Sequence, residues 1–553
     1  MGITPTAFAV EHPTETKNGD YSTNVAMVYA KQLGKNPRAF AEEVVAGLLK
    51  NKPDGIEKME IAGAGFINLY LSRDFFTDTT KDILKQGKKW GSNDRLSGKK
   101  IMVEYTQPNP FKPFHIGHLM SNAIGESISR IVEFSDARTI RANYQGDVGL
   151  HVGKSIYGLL QKGKPDSRLS ISDQAVYIGT CYSEASNLYD TDENIKKEID
   201  IINKKVYERS DPTINELYDW GRRVTLDAFE ILYKILGTKF DYYFFESDMA
   251  SIGAQIVKDY MGKVFDESDG AIVFHAEKYD PKLHTRVFIT KQGLPTYEAK
   301  EIGLTMTKFE KENPDVSITE TAIEQGPYME VVQKAISLIH PDYESRMKHV
   351  THGMMRVESG KMSSRKGNII TGESLLRDTS SLVYEKLADR DLIDEKKNSI
   401  ASQVAVGAIK YAILKQAIGG NIIYDEEKLV SFEGDSGPYL QYSATRAASV
   451  LKKAEAENIS PAYTDVINEV TPLERALYKF PEIVNRASID LAPHHIVTYL
   501  IELATSFNSF YANHPIVVKD DPSSNYKVAL TQAFLTTMTN GLLLLGICVP
   551  EKM

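Results

Sequence analysis

Cysteine is nearly absent. Cys181 and Cys548 are the only two in 553 residues, too few and too far apart for a disulfide framework or a Cys-x-x-Cys zinc site, and they fit a reducing cytosol. No uncharged apolar run is long enough to span a membrane. The first residues carry no basic stretch followed by an apolar one, so no secretory signal is expected and the expected location is cytoplasmic. Basic charge is not in excess either: 65 Lys and Arg stand against 74 Asp and Glu, a net charge of −9. That balance does not advertise a nucleic-acid partner, although a local basic face binds phosphate on an acidic protein as well. Internal repeats and low-complexity segments are missing. What is present, 42% hydrophobic and 25% charged, is an ordinary globular balance, and the length predicts two to four domains.

Residues 1–75 read as a small α/β unit. A helical run over about 39–49 precedes an alternating strand in which Phe66, Asn68 and Tyr70 face one way and Ile67, Leu69 and Leu71 the other. The charged connection LKQGKKWGSNDRLSGKK is expected to hold a domain boundary. Ile101, Val103 and Tyr105 then alternate with Met102, Glu104 and Thr106 as a strand, which QPNPFKP breaks because three prolines cannot continue a central strand. HIGH opens a helix with Ile124, Ile128 and Ile131, and ARTIRAN is the next strand. Strand, loop, helix, strand is a βαβ unit, hence a parallel sheet with its ligand crevice at the strand ends. Residues from about 155 to 240 are helical and polar, with a stripe at Ile195, Ile199 and Ile202, and read as an insertion between two halves of the sheet. Strand-like segments return at AIVFHA and TRVFIT, and the second half is expected to end near residue 375. From 376 onward ASQVAVGAIKYAILKQA and IVTYLIELATSFNSFYAN carry helical spacing.

The chemistry-bearing stretch is FKPFHIGHLMSN, residues 111–122. A helix N-terminus exposes unpaired N–H groups and a partial positive charge, a seat for phosphate. Gly117 removes a side chain where a ligand would approach the backbone, and His115 and His118, three apart, project from one face. Neutral imidazoles there donate to phosphate oxygens. A zinc reading of His-x-x-His lacks the third ligand and general base. From spacing alone the segment reads equally as an anion seat and as a cap with two surface histidines. Far downstream, SGKMSSRKGN places Lys361, Arg365 and Lys366 between glycines, with Ser363 and Ser364 among them: a basic loop able to close over a triphosphate, or a solvated turn.

HIGH followed by a KMSKS-like loop resembles the class I aminoacyl-tRNA synthetases, and the wider match is to the arginyl-tRNA synthetase family. It is carried by VEYTQPNPFKPFHIGHLMSNAIGE, RANYQGDVG, NGDYSTNVA with AGAGFIN, GPYLQYSATRA, and LATSFNSFYAN to LLLLGICVPEKM. The resemblance implies an α/β fold. It comprises a small N-terminal α/β tRNA-binding domain (1–75), a Rossmann-like parallel-sheet catalytic domain (98–375) with a helical insertion at about 155–240, and an all-helical anticodon-binding domain (376–553). It implies a ligase that activates L-arginine with ATP to arginyl-adenylate and transfers it to the 3′ end of tRNA-Arg, with Mg²⁺ as counter-charge on ATP, no membrane, and a monomer.

By the same resemblance His115, His118, Lys112, Lys361 and Arg365 carry catalysis, and Pro113, Gly117, Met362, Ser363 and Ser364 join the histidines at ATP. Ser364 stands where class I enzymes often have lysine. Arginyl enzymes are described as using a lysine just before HIGH instead, which Lys112 matches. A guanidinium pocket needs carboxylate and carbonyl oxygens; the resemblance points to Glu104, Asn109, Tyr297, Glu301 and Gln325. The family more usually has aspartate at the position of Glu301. For tRNA it points to Phe66 and Asn68, and in the C-terminal domain to Tyr439, Tyr442, Arg446 and Tyr511. Other class I synthetases, a HIGH-type nucleotidyltransferase acting on a small molecule without RNA, and a silent RNA-binding relative remain as alternatives. Cysteinyl and methionyl types often carry zinc cysteines, absent here, and a glutamyl type would need a basic pocket.

Overall fold

The computed structural model describes residues 7–357, 371–390, 392–417, 419–464 and 466–553. They form two compact units. One comprises the chain up to Gly91 with Ser443–Ile483 and Tyr499–Asn540; the other comprises Ser92–Tyr442, Val484–Thr498 and Gly541–Met553.

In the first unit β1 (Val10–Glu11), β2 (Tyr21–Thr23), β3 (Ile56–Ala62) and β4 (Phe66–Leu71) make an antiparallel sheet in the order β1-β2-β4-β3. Helices α1 (Val25–Ala30) and α2 (Pro37–Lys50) cover one face, and Ala26, Tyr29, Phe40, Ala41 and Ile67 fill the space between. Asn36 caps α2 by accepting from the N–H groups of Arg38 and Ala39, ahead of Pro37 at the first helical position. The alternation on β4 is as expected, but its outer face is not uniformly exposed. Phe66 is open to solvent, whereas Asn68 is buried and its Oδ1 accepts from Ser22 Oγ (2.8 Å) on the paired strand. Helix α3 (Arg73–Gln86) leads out of this part.

The second unit holds the parallel sheet. From β5 (Lys100–Glu104) the chain passes through α4 (Ile116–Phe134) to β6 (Arg138–Gln145). It then makes a four-helix excursion, α5 (Leu150–Lys162), α6 (Ile171–Thr191), α7 (Glu193–Glu208) and α8 (Pro212–Leu236), before β7 (Tyr242–Phe245). These helices occupy the stretch that the sequence marks as helical and polar. Ile199 and Ile202 of the stripe are buried against Val152, Ile156 and Ile178 in a core of its own, with Ile195 packed on its edge.

AIVFHA and TRVFIT do not return to the parallel sheet. After α9 (Glu246–Asp259), β8 (Asp266–Ser268), β9 (Ala271–Phe274) and β10 (Arg286–Ile289) form a separate antiparallel sheet, β10-β9-β8. For AIVFHA the physical reason lies in the link Asp269-Gly270, with φ of 50° and 78°: a two-residue hairpin turn, which forces antiparallel pairing with β8; TRVFIT then pairs antiparallel on the other edge of β9. The parallel sheet resumes only after α10 (Tyr297–Glu312), at β11 (Val316–Ala322), and ends, past α11 (Gly326–Ile339), at β12 (Met347–His352). Its order is β12-β11-β5-β6-β7, all parallel. The chain runs outward from β5 on one side and later on the other, so the switch point lies beside β5.

Beyond it, β13 (Met355–Val357) pairs with β14 (Ile422–Tyr424) in parallel. Helices α12 (Gly372–Lys386), α13 (Asp394–Leu414), α14 (Glu426–Leu429), α15 (Gly437–Ala456), α16 (Pro472–Leu477), α17 (Phe480–Asp490), α18 (His494–Asn513) and α19 (Ser524–Leu544) complete the chain, as the spacing from 376 onward predicts. In the first unit, α3 is tied to the helices that return to it. The Arg73 guanidinium bonds Glu474 and Tyr526, Arg475 pairs with Asp20, and Phe76 and Tyr478 bury their rings together 5.7 Å apart. Among the described residues no helix is long and apolar enough to cross a membrane.

Candidate active site

The five parallel strands end in one cleft. It is lined by Thr106 and Gln107 after β5, Tyr144 and Gly146 at β6, Glu246 after β7, Thr321 and Ala322 at β11, and His352 at β12. Its volume is ≈ 580 Å³, within the range of small-ligand sites at the carboxyl edge of an open parallel sheet.

The rim is a strained loop. Between β5 and α4 the non-glycine residues Thr106, Gln107 and Phe111 have φ of 76°, 47° and 68°. For a β-branched residue such as Thr106 that is a costly conformation. It is held by Asn122 Nδ2 donating to Thr106 Oγ1 (3.0 Å) and by the Thr106 N–H donating to Ser121 Oγ (2.8 Å).

His115 is the cap of α4 and His118 the third residue within it. The Gly117 N–H donates to His115 Nδ1 (3.1 Å), the His115 N–H donates to His118 Nδ1 (3.3 Å), and the rings stack with centroids 3.5 Å apart. Burial, with the nearby Lys112 charge, lowers His115 to about 4; burial, then His115 and Lys112, holds His118 well below the ordinary value. Both rings are therefore neutral near pH 7. Since each Nδ1 accepts, each ring proton sits on Nε2. The main chain has fixed the tautomer and left two N–H donors on residues that line the cleft.

The opposite wall is acidic and carefully paired. Lys300 bonds Glu246 (2.8 Å), Arg286 bonds Glu298 (2.9 Å) and Lys308 bonds Glu104 (2.7 Å). Glu301 has no cation within ion-pair distance among the described residues, and the Tyr328 hydroxyl lies near it. Burial first, then the neighbouring Glu104 charge, raises its carboxyl from the ordinary 4.5 to about 8. A buried carboxylate beside other carboxylates is a place for a cation. The Tyr144 hydroxyl, also buried and without a partner among the described residues, lies on the same cleft.

Of the residues singled out in the sequence, Asn109, His115, Gly117, His118, Tyr297, Glu301 and Gln325 line this one cavity. Three do not. Glu104 is fully buried beneath it, bonded by Lys308 and by Gln107 Nε2 (2.7 Å), so its carboxylate shapes the wall instead of standing open to a ligand. Pro113 rests against Gly179 of α6, and the Lys112 ammonium lies 5.4 Å from the Tyr182 ring of the same helix, because the underside of the loop packs on the insertion. Lys361, Met362, Ser363, Ser364 and Arg365 lie outside the described residues. Phe66 is exposed and Asn68 buried, as above. Tyr442 packs beside Phe432 (6.4 Å), while the Arg446 guanidinium sits 5.2 Å from the ring of Tyr511, which is exposed. Tyr439 is half-buried.

Several lining residues were not singled out. Ser121 follows His118 by three, so helical spacing pointed to it. Glu298, on α10 beside Tyr297 and three before Glu301, and Tyr328, three after Gln325, stand next to residues already singled out; Glu246 and Arg286 come from elements that meet the site only through the crossovers, and no local pattern marks them.

A parallel sheet of this order, with a histidine-capped helix over its carboxyl edge, defines a class I tRNA synthetase catalytic core. Residues 79–425 match the family described as tRNA synthetases class I (R), catalytic domain; residues 1–71 match the arginyl tRNA synthetase N terminal domain, and residues 440–553 the DALR anticodon binding domain. The chain belongs to the arginyl-tRNA synthetase family. It is 32% identical to the arginine–tRNA ligase of Fusobacterium nucleatum, over 98% of this chain and 94% of that one. It is 29% identical to that of Lactococcus lactis, over 100% and 97%. Its fold matches the arginyl-tRNA synthetase of Thermus thermophilus with a TM-score of 0.81 at 24% identity, covering 100% of this chain and 97% of the other.

Proposed function

We propose that this cleft joins L-arginine to ATP, giving arginyl-adenylate and pyrophosphate, and that the arginyl group then passes to the 3′ end of tRNA-Arg. The observation that carries the site reading is the pairing, in one cavity, of two tautomer-fixed N–H donors on His115 and His118 with the half-buried carboxyl of Glu301, which has no ion-pair partner among the described residues. The arginine guanidinium takes the Glu301 side, with Asn109, Tyr297 and Gln325 around it. The arginine carboxylate is already ionised, so it attacks the α-phosphate without a general base. His115 and His118 donate to the phosphate oxygens on which charge grows. Gly117 lets the triphosphate approach the helix tip.

Lys361 and Arg365 hold the departing β- and γ-phosphates, with Met362, Ser363 and Ser364 in the same loop. Mg²⁺ bound with ATP would supply counter-charge on its phosphates. Lys112 acts on the triphosphate by swinging off Tyr182, since its charge already reaches both histidines. Phe66 offers an exposed ring to an unpaired base of the tRNA. Arg446 with Tyr511, and Tyr439, serve the anticodon stem and loop. The reading places the protein in the cytoplasm as a monomer, divided at residues 75, 98 and 375 as the sequence suggests.

ATP–pyrophosphate exchange with each amino acid, with and without tRNA, tests the reaction. Arginine alone should support exchange and charging. Preference for another amino acid would overturn the assignment. Lys112→Ala should cut exchange by about tenfold or more, in proportion to the loss of one charge-assisted bond to phosphate; unchanged exchange would remove Lys112 from the mechanism.

A further inference from the structure

One buried carboxylate stands outside the acidic wall. Glu320, near the end of β11, points to the opposite face of the sheet from Glu104, because its register partner is Val350 whereas Glu104 pairs with Thr319. It is fully buried under α4. Its Oε2 accepts from Ser121 Oγ, while its Oε1 has no hydrogen-bond partner among the described residues and faces His352 Nε2 at 3.7 Å. His352 Nδ1 lies 2.7 Å from the Gly353 carbonyl, which only accepts, so Nδ1 carries the ring proton. Burial keeps this imidazole on the neutral side, and its Nε2 presents a lone pair. Two acceptors would thus confront each other unless Glu320 Oε1 bears a proton. On the other side, the single proton of Ser121 Oγ is used on Glu320, and that same oxygen receives the N–H of Thr106 at its φ of 76°.

We propose that Glu320 is a positioning residue of the adenylation site, held as a neutral carboxylic acid within a one-way chain of polar contacts. Hydrogen bonds run from Thr106 N–H to Ser121, from Ser121 O–H to Glu320, and from His352 Nδ1–H to the Gly353 carbonyl; between them the Glu320 acid proton faces the His352 Nε2 lone pair across 3.7 Å, an oriented contact longer than a hydrogen bond. The chain fastens the strained rim of β5, the histidine-bearing helix and the end of β12 to one another, and Thr106, Ser121 and His352 all line the cleft. Ionisation of Glu320 reverses one link and sets a carboxylate against the His352 lone pair. The groups in contact with Glu320 are Ser121 on α4 and His352 on β12; Glu104, Lys308 and His349 lie on the other face. Among the described residues no cation favours the ionised form, and burial raises the carboxyl to about 8.

This inference rests on the adenylation reading, and two measurements separate them. The first needs no activity. Glu320 binds its proton more tightly in the folded chain than in the unfolded one, so its contribution to stability is complete below pH 4.5 and is lost as pH rises to about 8. Glu320→Gln has no such loss, and its amide donates where the acid did. Its melting temperature relative to the unsubstituted protein should climb between pH 5 and 8 and then level. A gap that is flat or shrinks over that window overturns the neutral acid.

The second is arginine-dependent ATP–pyrophosphate exchange against pH. Above about pH 8 the rate of the unsubstituted protein should fall, approaching tenfold per unit, while Glu320→Gln should keep exchanging without that fall. Ser121→Ala, which cuts the chain and leaves the acid, should lower kcat with little change in the KM for arginine. An unaltered kcat, or the same alkaline fall in Glu320→Gln, sinks the positioning role. Absence of exchange in the unsubstituted protein would instead defeat the function reading, leaving the melting comparison to decide on Glu320.

Discussion

Two kinds of ionisable side chain meet in the cleft, and each is held away from its ordinary charge by a different cause. The histidines are neutral because they are buried beside Lys112, and their orientation is set by main-chain donors. Glu301 takes up a proton because it is buried beside Glu104. The arrival of a guanidinium removes that second cause, so arginine binding below about pH 8 expels a proton. The KM for arginine should accordingly fall as pH rises from 6.5 to about 8 and be flat above it. Glu301→Gln should abolish that slope and weaken arginine roughly 10- to 150-fold, as expected for losing a charged hydrogen bond of about 1.5–3 kcal/mol, with the KM for ATP nearly unmoved. Steady-state exchange kinetics across this range would read both effects; an unchanged slope in the variant would place the proton elsewhere.

Among the elements, α10 governs the acidic wall, since it carries Tyr297, Glu298, Lys300, Glu301 and Lys308. It lies against α9 with almost no room. A Cβ at Gly253 would come within 1.8 Å of the Ala299 carbonyl, and one at Gly303 within 2.5 Å of the Met249 carbonyl. Gly253→Ala should therefore push α10 outward, destabilise the fold by about 1–3 kcal/mol and raise the KM for arginine more than that for ATP; denaturant unfolding with substrate kinetics checks both.

Elements with strong local signals were legible. The HIGH helix, β5 and β6, the stripe at Ile199 and Ile202 and the C-terminal helices follow from periodicity, prolines and caps. The small antiparallel sheet was misplaced because apolar four-residue runs look alike in either pairing, although Asp269-Gly270 held the clue. The family resemblance points to Glu104 as a guanidinium ligand, but nothing in local sequence shows that Lys308, two hundred residues on, occupies its carboxylate. Glu246 and Arg286 are out of reach for the same reason: crossover connections, not spacing, deliver them to the cleft.

At the scale of the whole chain, the N-terminal α/β part shares a compact unit with helices from the far end of the sequence. Glu474, fully buried, is the centre of that union, receiving Arg73 and Tyr526 and closing the cap of α16 with Thr471. Arg73→Met would leave this carboxylate without its cation, at a cost of about 3–5 kcal/mol. Calorimetry of the full chain should show a transition lowered by more than about 5 °C; an unmoved profile would show that Tyr526 and Thr471 suffice. The same arrangement sets a timetable for biosynthesis. The first 91 residues leave the ribosome with Phe76 still lacking Tyr478, and roughly 20–70 s of translation pass before Ser443 is made. Through that interval the nascent N-terminus is an unfinished body with an open greasy side, a natural client for a chaperone, and a message cut short anywhere in the catalytic region yields a product that can never close it.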